Sequence, residues 1–294
     1  MFNTIAIVLV VLAALVTLFG LWRFTDVRRD QVAWNDLLAL TDDEPVRRFD
    51  PAMVAELPGP ARRYFAFTID EGAPIADAVE VDMHGQIGLG DRDDPQFRPM
   101  RARQLLAPPF GFVWQLEAGA LSGSDGMVPD RSWTRFWLYR LVPVVRAGGD
   151  DHLRSSFGRL AAEAAFWAPA SLLPHQGVVW DAIDEDTARA TVTRGAREQA
   201  VEITVDEQGA PRQVLIQRWT NANPDRLFRL QPFGGTLAGY RDFGGYRLPT
   251  RVEGGNLFGT EDYFPFFKVE ITDARLIGPG IDEGTMQRTP AAEE

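Results

Sequence analysis

The sequence predicts a mainly β fold of the α+β kind. One large, curled antiparallel sheet, half-barrel-like, is covered by a central helix and preceded by an N-terminal transmembrane helix. Three observations carry this. From Val79 onward apolar residues recur with period 2 in short runs separated by turn residues, the pattern of half-buried antiparallel strands. One stretch within those runs, 155–167, has helical period instead. Ahead of them, Ile5 to Trp22 is an uncharged apolar run.

That run spans roughly 27 Å as a helix, close to a hydrocarbon core of about 30 Å. Trp22 and Arg23 suit the interface, the indole half-immersed and the guanidinium reaching for water. A cleaved signal peptide is the rival reading. Met1–Thr4 carries no basic side chain, however, and no small-x-small site follows the run. The expected order is a transmembrane anchor at 1–24, a charged connector at 25–50, an antiparallel β domain at 51–278 and a polar, disordered tail at 279–294. The connector can extend the anchor helix through Trp34 and Leu37. Asp50-Pro51 then forms a helix start, aspartate capping and proline at the first position. Leu57-Pro-Gly-Pro60 breaks it, and 61–67 forms another turn bearing Tyr64, Phe65 and Phe67.

Val79 to Leu89 alternates with Glu80, Asp82, His84 and Gln86, a strand. Residues 88–95 turn the chain, 100–106 pairs back, and 112–117 is a third strand. Ser132 to Val145, with Trp133, Phe136, Trp137 and Tyr139, supplies one or two more. The central helix follows. Ser155 or Ser156 is its expected N-cap, and Pro169 ends it near Trp167. Phe157, Leu160, Ala164 and Trp167 share one face, with Glu163 at its edge. Beyond Pro174, strands are expected at 178–183, 188–194, 200–205, 212–220, 238–243, 246–253 and 263–276, with hairpin turns at 207–211 and Gly244-Gly245. A sheet of that size twists and curls, so it needs a cover, and the central helix is the natural one.

Net charge of −11 and a pI near 4.9 exclude nucleic acid as a partner, since phosphate binding needs a basic face. The absence of cysteine excludes disulfides and thiolate chemistry. His84, His152 and His175 form no metal-binding spacing, so no metal or cofactor is expected. Asp91–Asp94 opens like a calcium loop but lacks its glycine and terminal glutamate. Ser122 misses both glycines of a nucleophile elbow, and no dinucleotide fingerprint or phosphate loop occurs. Glu163 is the one acid/base candidate, weighed against an ion pair with an arginine such as Arg218.

Leu57-Pro-x-Pro-x-Arg-Arg-Tyr64, Arg159-Leu-x-x-Glu-x-x-x-Trp-x-Pro-x-x-Leu-Leu-Pro174 and Tyr240-x-x-Phe-Gly-Gly-Tyr-Arg-Leu-Pro249 resemble a bacterial family catalogued as a domain of unknown function, over roughly residues 50 to 276. Its members commonly carry an N-terminal membrane helix. Glu163, Trp167, Pro169, Arg218, Gly245 and Pro249 match its recurring pattern, and it implies no catalytic residues. More distantly, the chain is similar to the half-barrel of periplasmic lipoprotein carriers of the LolA/LolB type, in which a curled sheet binds acyl chains.

The expected function is therefore binding of a lipid or acyl chain between sheet and helix. The candidate ligand-binding residues are Trp114, Glu163, Trp167, Arg218 and Tyr240, and the expected partners are the bilayer and that ligand. The alternatives are a hydrolase using Glu163 and a non-catalytic envelope scaffold. Location is a bacterial membrane. Arg23, Arg28 and Arg29 favour a cytoplasmic domain by the positive-inside bias, whereas the carrier resemblance implies an extracytoplasmic one, and the weight goes to the latter.

Overall fold

The computed structural model describes residues 2–40, 46–174 and 177–281. His175 and all but the start of the expected tail lie outside them. Among the described residues are three α-helices, α1 (Phe2–Ala39), α2 (Gly59–Thr68) and α3 (Asp150–Trp167), and thirteen strands. The first six strands are β1 (Ala78–Gly88), β2 (Phe97–Ala107), β3 (Gly111–Ala118), β4 (Leu121–Val128), β5 (Arg131–Leu138) and β6 (Val142–Gly148). The other seven are β7 (Val179–Ala182), β8 (Thr187–Arg194), β9 (Arg197–Val205), β10 (Pro211–Thr220), β11 (Arg229–Asp242), β12 (Arg247–Asn256) and β13 (Phe264–Ile277).

All thirteen strands join one antiparallel sheet in the order β6-β5-β4-β3-β2-β1-β13-β12-β11-β10-β9-β8-β7. Two meanders, β1–β6 and β7–β13, are stitched together where the first and last strands pair. The two edges, β6 and β7, are consecutive in sequence, so their connection must travel from one edge of the sheet to the other. That connection is α3, followed by a short 3-10 turn at Pro169–Leu172. The helix covers the inner face because topology routes it there, and it touches β2–β6 on one side and β9, β10 and β12 on the other.

The strand predictions hold with one omission. β4, Leu-Ser-Gly-Ser-Asp-Gly-Met-Val, has no aromatic residue and a single β-branched one, at its very end, so it lacks the composition that marks a strand. Its glycines have a packing reason. A Cβ on Gly126 would lie 2.3 Å from the Trp133 ring, and one on Gly123 would lie 2.7 Å from Phe136, each directly opposite on β5. The strand forms because its neighbour's rings need its bare backbone. β11 also begins nine residues earlier than expected, its first half hidden by Gln-Pro and Gly-Gly.

The helix boundaries need correction. α3 starts at Asp150 with Gly149 as N-cap, so Ser155 and Ser156 are buried interior residues and cap nothing. Asp150 and Asp151 supply the negative charge that a helix N-terminus favours. The helix also buries more than a stripe. Every residue from Ser155 to Trp167 is buried except Arg159, because the curled sheet meets it on several sides. The expected turn at 61–67 is a full helix, α2, anchored where the Tyr64 hydroxyl donates to the Ala165 carbonyl of α3 at 2.9 Å.

The connector is largely helical. α1 runs without interruption to Ala39, and Asp26, Asp30, Ala33, Trp34 and Leu37 form one buried face at helical spacing. Ala33, Trp34 and Leu37 pack on Leu105, Val113, Val128 and Trp133, which alternate with the inward-facing Leu106, Phe112, Trp114 and Met127. The sheet is thus clad on both faces, by α3 inside and by the second half of α1 outside. Most of the first half, Ile5 to Trp22, is bare apolar surface: Leu9 is 61% and Val10 68% exposed. After it, Asp50 accepts from Ala52 N at 2.8 Å and opens a 3-10 turn at Pro51–Val54, as its position before proline suggested.

Candidate functional site

α3 does not fill the space beneath the sheet. A cavity of about 220 Å³, open to solvent on one side, remains between its Arg159–Phe166 face and strands of both meanders. Its apolar wall comprises Trp114, Phe166, Val214, Phe233, Leu237, Val252, Phe266 and Phe267. Glycine makes this wall possible. β11 contributes Gly234 and Gly235, and a Cβ on Gly235 would lie 2.0 Å from the Glu253 carbonyl oxygen of β12. The close strand approach leaves no side chain there to occupy the space. The β12–β13 register shift between Gly254 and Asn256 falls in the same region, where an irregularity bends a sheet.

One end of the cavity is polar. Arg159 Nε donates to Glu163 Oε1 at 2.6 Å, one turn along the same helix, and its NH1 donates to Asp125 Oδ2 of β4 at 2.7 Å. Gln104 Nε2 donates to the other Glu163 oxygen, and the Gln104 carbonyl oxygen accepts from Arg159 NH2 at 3.3 Å. The guanidinium also lies 4.6 Å from the Phe112 centroid and 5.1 Å from that of Trp114. Burial pulls the Arg159 pKa down, but Glu163 and Asp125 outweigh it and leave it raised. The expected partner of Glu163, Arg218, is therefore the wrong arginine. The right one sits four residues earlier in α3, at the i, i+4 spacing that pairs charges along a helix.

Arg218, on β10, also faces the cavity. Its Nε donates to the Ser155 hydroxyl at 3.1 Å and to the Ser155 carbonyl at 3.3 Å, and its guanidinium lies 4.6 Å from the Phe233 ring. Burial, then the nearby Arg159, pull its pKa down to about 10, with Asp125 and Glu163 opposing. Asp125 also extends the network outward. Thr134 Oγ1 donates to Asp125 Oδ1 at 2.9 Å, and His152 Nε2 and Nδ1 lie 2.9 Å from Thr134 Oγ1 and 2.7 Å from Ser132 Oγ. Burial lowers the His152 pKa, with Asp125 opposing and Arg218 and Arg159 assisting.

Of the five candidate residues, the fold brings Trp114, Glu163 and Arg218 together around this cavity. Trp167 is buried in the core and forms no part of the lining. Tyr240 lies elsewhere, its ring 5.0 Å from Phe67 and its hydroxyl donating to the Pro211 carbonyl. Sequence reasoning missed Asp125 and Gln104. Asp125 lies on the unrecognised strand, and nothing in the sequence marks Gln104 apart from its apolar neighbours. Arg159 had a visible signal, its i, i+4 spacing to Glu163. Among the described residues no cluster of three or more histidine or carboxylate side chains is placed to hold a metal.

The model of a family of unknown function, DUF6544, matches residues 47–269. The chain belongs to that family. The match begins after α1 and takes in α2, α3 and nearly the whole sheet. No curated protein matches the sequence. Among solved structures, the chain is similar to a LolA superfamily protein from Nitrosomonas europaea at 12% identity and a TM-score of 0.42, covering 74% of this chain and 91% of that one. It is also similar to a domain ascribed to outer membrane lipoprotein sorting, from Vibrio parahaemolyticus, at 11% identity and a TM-score of 0.36, covering 70% and 87%.

Proposed function

We propose that this DUF6544 protein is a membrane-tethered binding protein that holds an acyl chain between α3 and the sheet. The observation that carries this is the cavity wall. Apolar and aromatic side chains from both meanders and the helix converge on one space, with Asp125, Arg159, Glu163, Arg218 and Glu253 at its border, the composition of a site for a largely apolar ligand. At about 220 Å³ it is smaller than the roughly 300–1,000 Å³ of ordinary small-molecule sites, so it suits one chain or the end of one.

α1 supports the tether. Its helix contains a window of mean hydropathy 2.8 with none of that window buried, and its following turns are fixed to the sheet. The anchor and the binding domain then form one rigid piece, with the sheet held close to the bilayer from which an acyl chain would come. Glu163 is a poor acid or base in this arrangement, because both of its oxygens already accept from Arg159 and Gln104.

The test uses the full chain in membranes with a fatty acid carrying a photoreactive diazirine at its chain end. Crosslinked peptides from β10–β12 are expected. Labelling confined to residues 5–22 would contradict the reading. An extracytoplasmic domain, which we also propose, predicts that a cysteine placed at the exposed Glu207 reacts with an impermeant thiol reagent in intact cells. Protection until lysis would put the domain inside.

A further inference from the structure

We infer that the ligand is a carboxylate amphiphile, its head group held by the Arg218 guanidinium and its chain lying along Phe233, Phe266 and Phe267. This rests on the cavity being the binding site proposed above. Its support lies in the direct partners of the charged groups around that cavity. Three carboxylates border the cavity, and each lies in a direct ion pair, although two of them share one arginine. Asp125 and Glu163 share Arg159 at 2.7 and 2.6 Å, and Glu253 meets Lys268 at 3.2 Å.

Arg218 is the exception. Its hydrogen bonds go to the neutral oxygens of Ser155, and among the described residues no carboxylate lies within ion-pair distance of it. It remains charged at neutral pH, so the cavity presents a cation whose direct contacts are uncharged.

A carboxylate can take the planar fork of that guanidinium in a charge-assisted pair. An alcohol offers no charge to offset Arg218, and an ammonium would add a like charge beside it. The flanking rings complete an amphiphile's site, because Phe233 lies both under the Arg218 guanidinium and 6.3 Å from Phe266.

The experiment compares three photoreactive probes of one chain length on the full protein in membranes: a dodecanoate, a dodecanol and a dodecylamine, each with a terminal diazirine. The dodecanoate is expected to label β10–β12 at least about tenfold more than the other two, as a charge-assisted head-group contact requires. Arg218→Met should abolish that preference, and Arg218→Lys should retain part of it. Circular dichroism checks that both variants fold, and the wild-type comparison stands without them. Equal labelling by alcohol and carboxylate would overturn the head-group assignment while leaving an acyl-chain cavity intact. No labelling of β10–β12 by any probe would overturn the cavity reading itself, and this inference with it.

Discussion

The two faces of the sheet are each covered by a helix, and each cover buries arginine–carboxylate pairs, yet only one leaves an apolar space beneath it. Outside, α1 lays Ala33, Trp34 and Leu37 against the sheet as a packed seam, and Asp26 and Asp30 meet Arg146 and Arg135 beside it. The depression nearby, about 410 Å³ among Arg28, Arg29, Val32, Arg131, Trp133 and Arg135, is lined mostly by arginine. Inside, α3 packs equally tightly at its core but leaves an aromatic hollow above Arg159 and Glu163. The difference comes from side-chain size. α3 presents Ala162 to glycine-rich β11, whereas α1 presents tryptophan and leucine to a fuller surface. A helix of small residues over strands of small residues encloses space.

Breaking the inner ion network should have the largest effect. Arg159→Met leaves Glu163 and Asp125 buried beside an apolar stem, and the expected loss is about 3–5 kcal/mol in urea unfolding. A loss below about 1 kcal/mol would mean that water enters and solvates both carboxylates, so that the inner face is far wetter than described.

The outer seam comes next. Leu37 is fully buried, and Leu37→Ala should cost about 2–5 kcal/mol, whereas Val10→Ala in the exposed run should leave domain stability unchanged. Equal, negligible effects would mean that the second half of α1 does not rest on the sheet.

The cavity itself gives a small stability effect and a large binding effect. Ala162→Leu projects bulk into existing space, so stability should change by about 1 kcal/mol or less while acyl-chain binding is lost. Retained binding would locate the ligand elsewhere.

The smallest effect is one of pH. His152 is held below its usual value of 6.5 mainly by burial, so the unfolded chain binds its proton more readily than the folded one. The stability this group contributes is fully present above about pH 6.5 and is lost as pH falls through its lowered folded value. Asp125, Arg159, Arg218, Ser132, Thr134 and Ser156 are the groups around it. His152→Gln should flatten that part of the acid limb in a series of unfolding curves. An unchanged limb would show that His152 takes up its proton equally in both states.

Much of this architecture was legible. Period-2 runs mark eleven or twelve of the strands, the stretch 132–145 reading as one or two, because each pairs one apolar face with one wetter face. The central helix and its end at Pro169 were legible from alanine content and proline geometry. β4 was not, because its glycines matter only once Trp133 and Phe136 lie opposite them. The start of α3 was misplaced because serine is a good cap in general, and no local pattern revealed that Asp150 lies beside the sheet edge. Three of the five site residues reached the cavity. Trp167 has the bulk and the place on the helix that suggest a ligand contact, the same properties that make a core residue. The Arg159–Asp125–Gln104 network depends on strand register across residues far apart in sequence, which no local pattern encodes.

The most direct test of the central claim is native mass spectrometry of the full chain, extracted in detergent without added lipid, beside the Ala162→Leu variant. The account predicts that the wild type retains a single acyl-chain adduct and that the variant carries none. An adduct retained equally by both, or absent from the wild type, would contradict it.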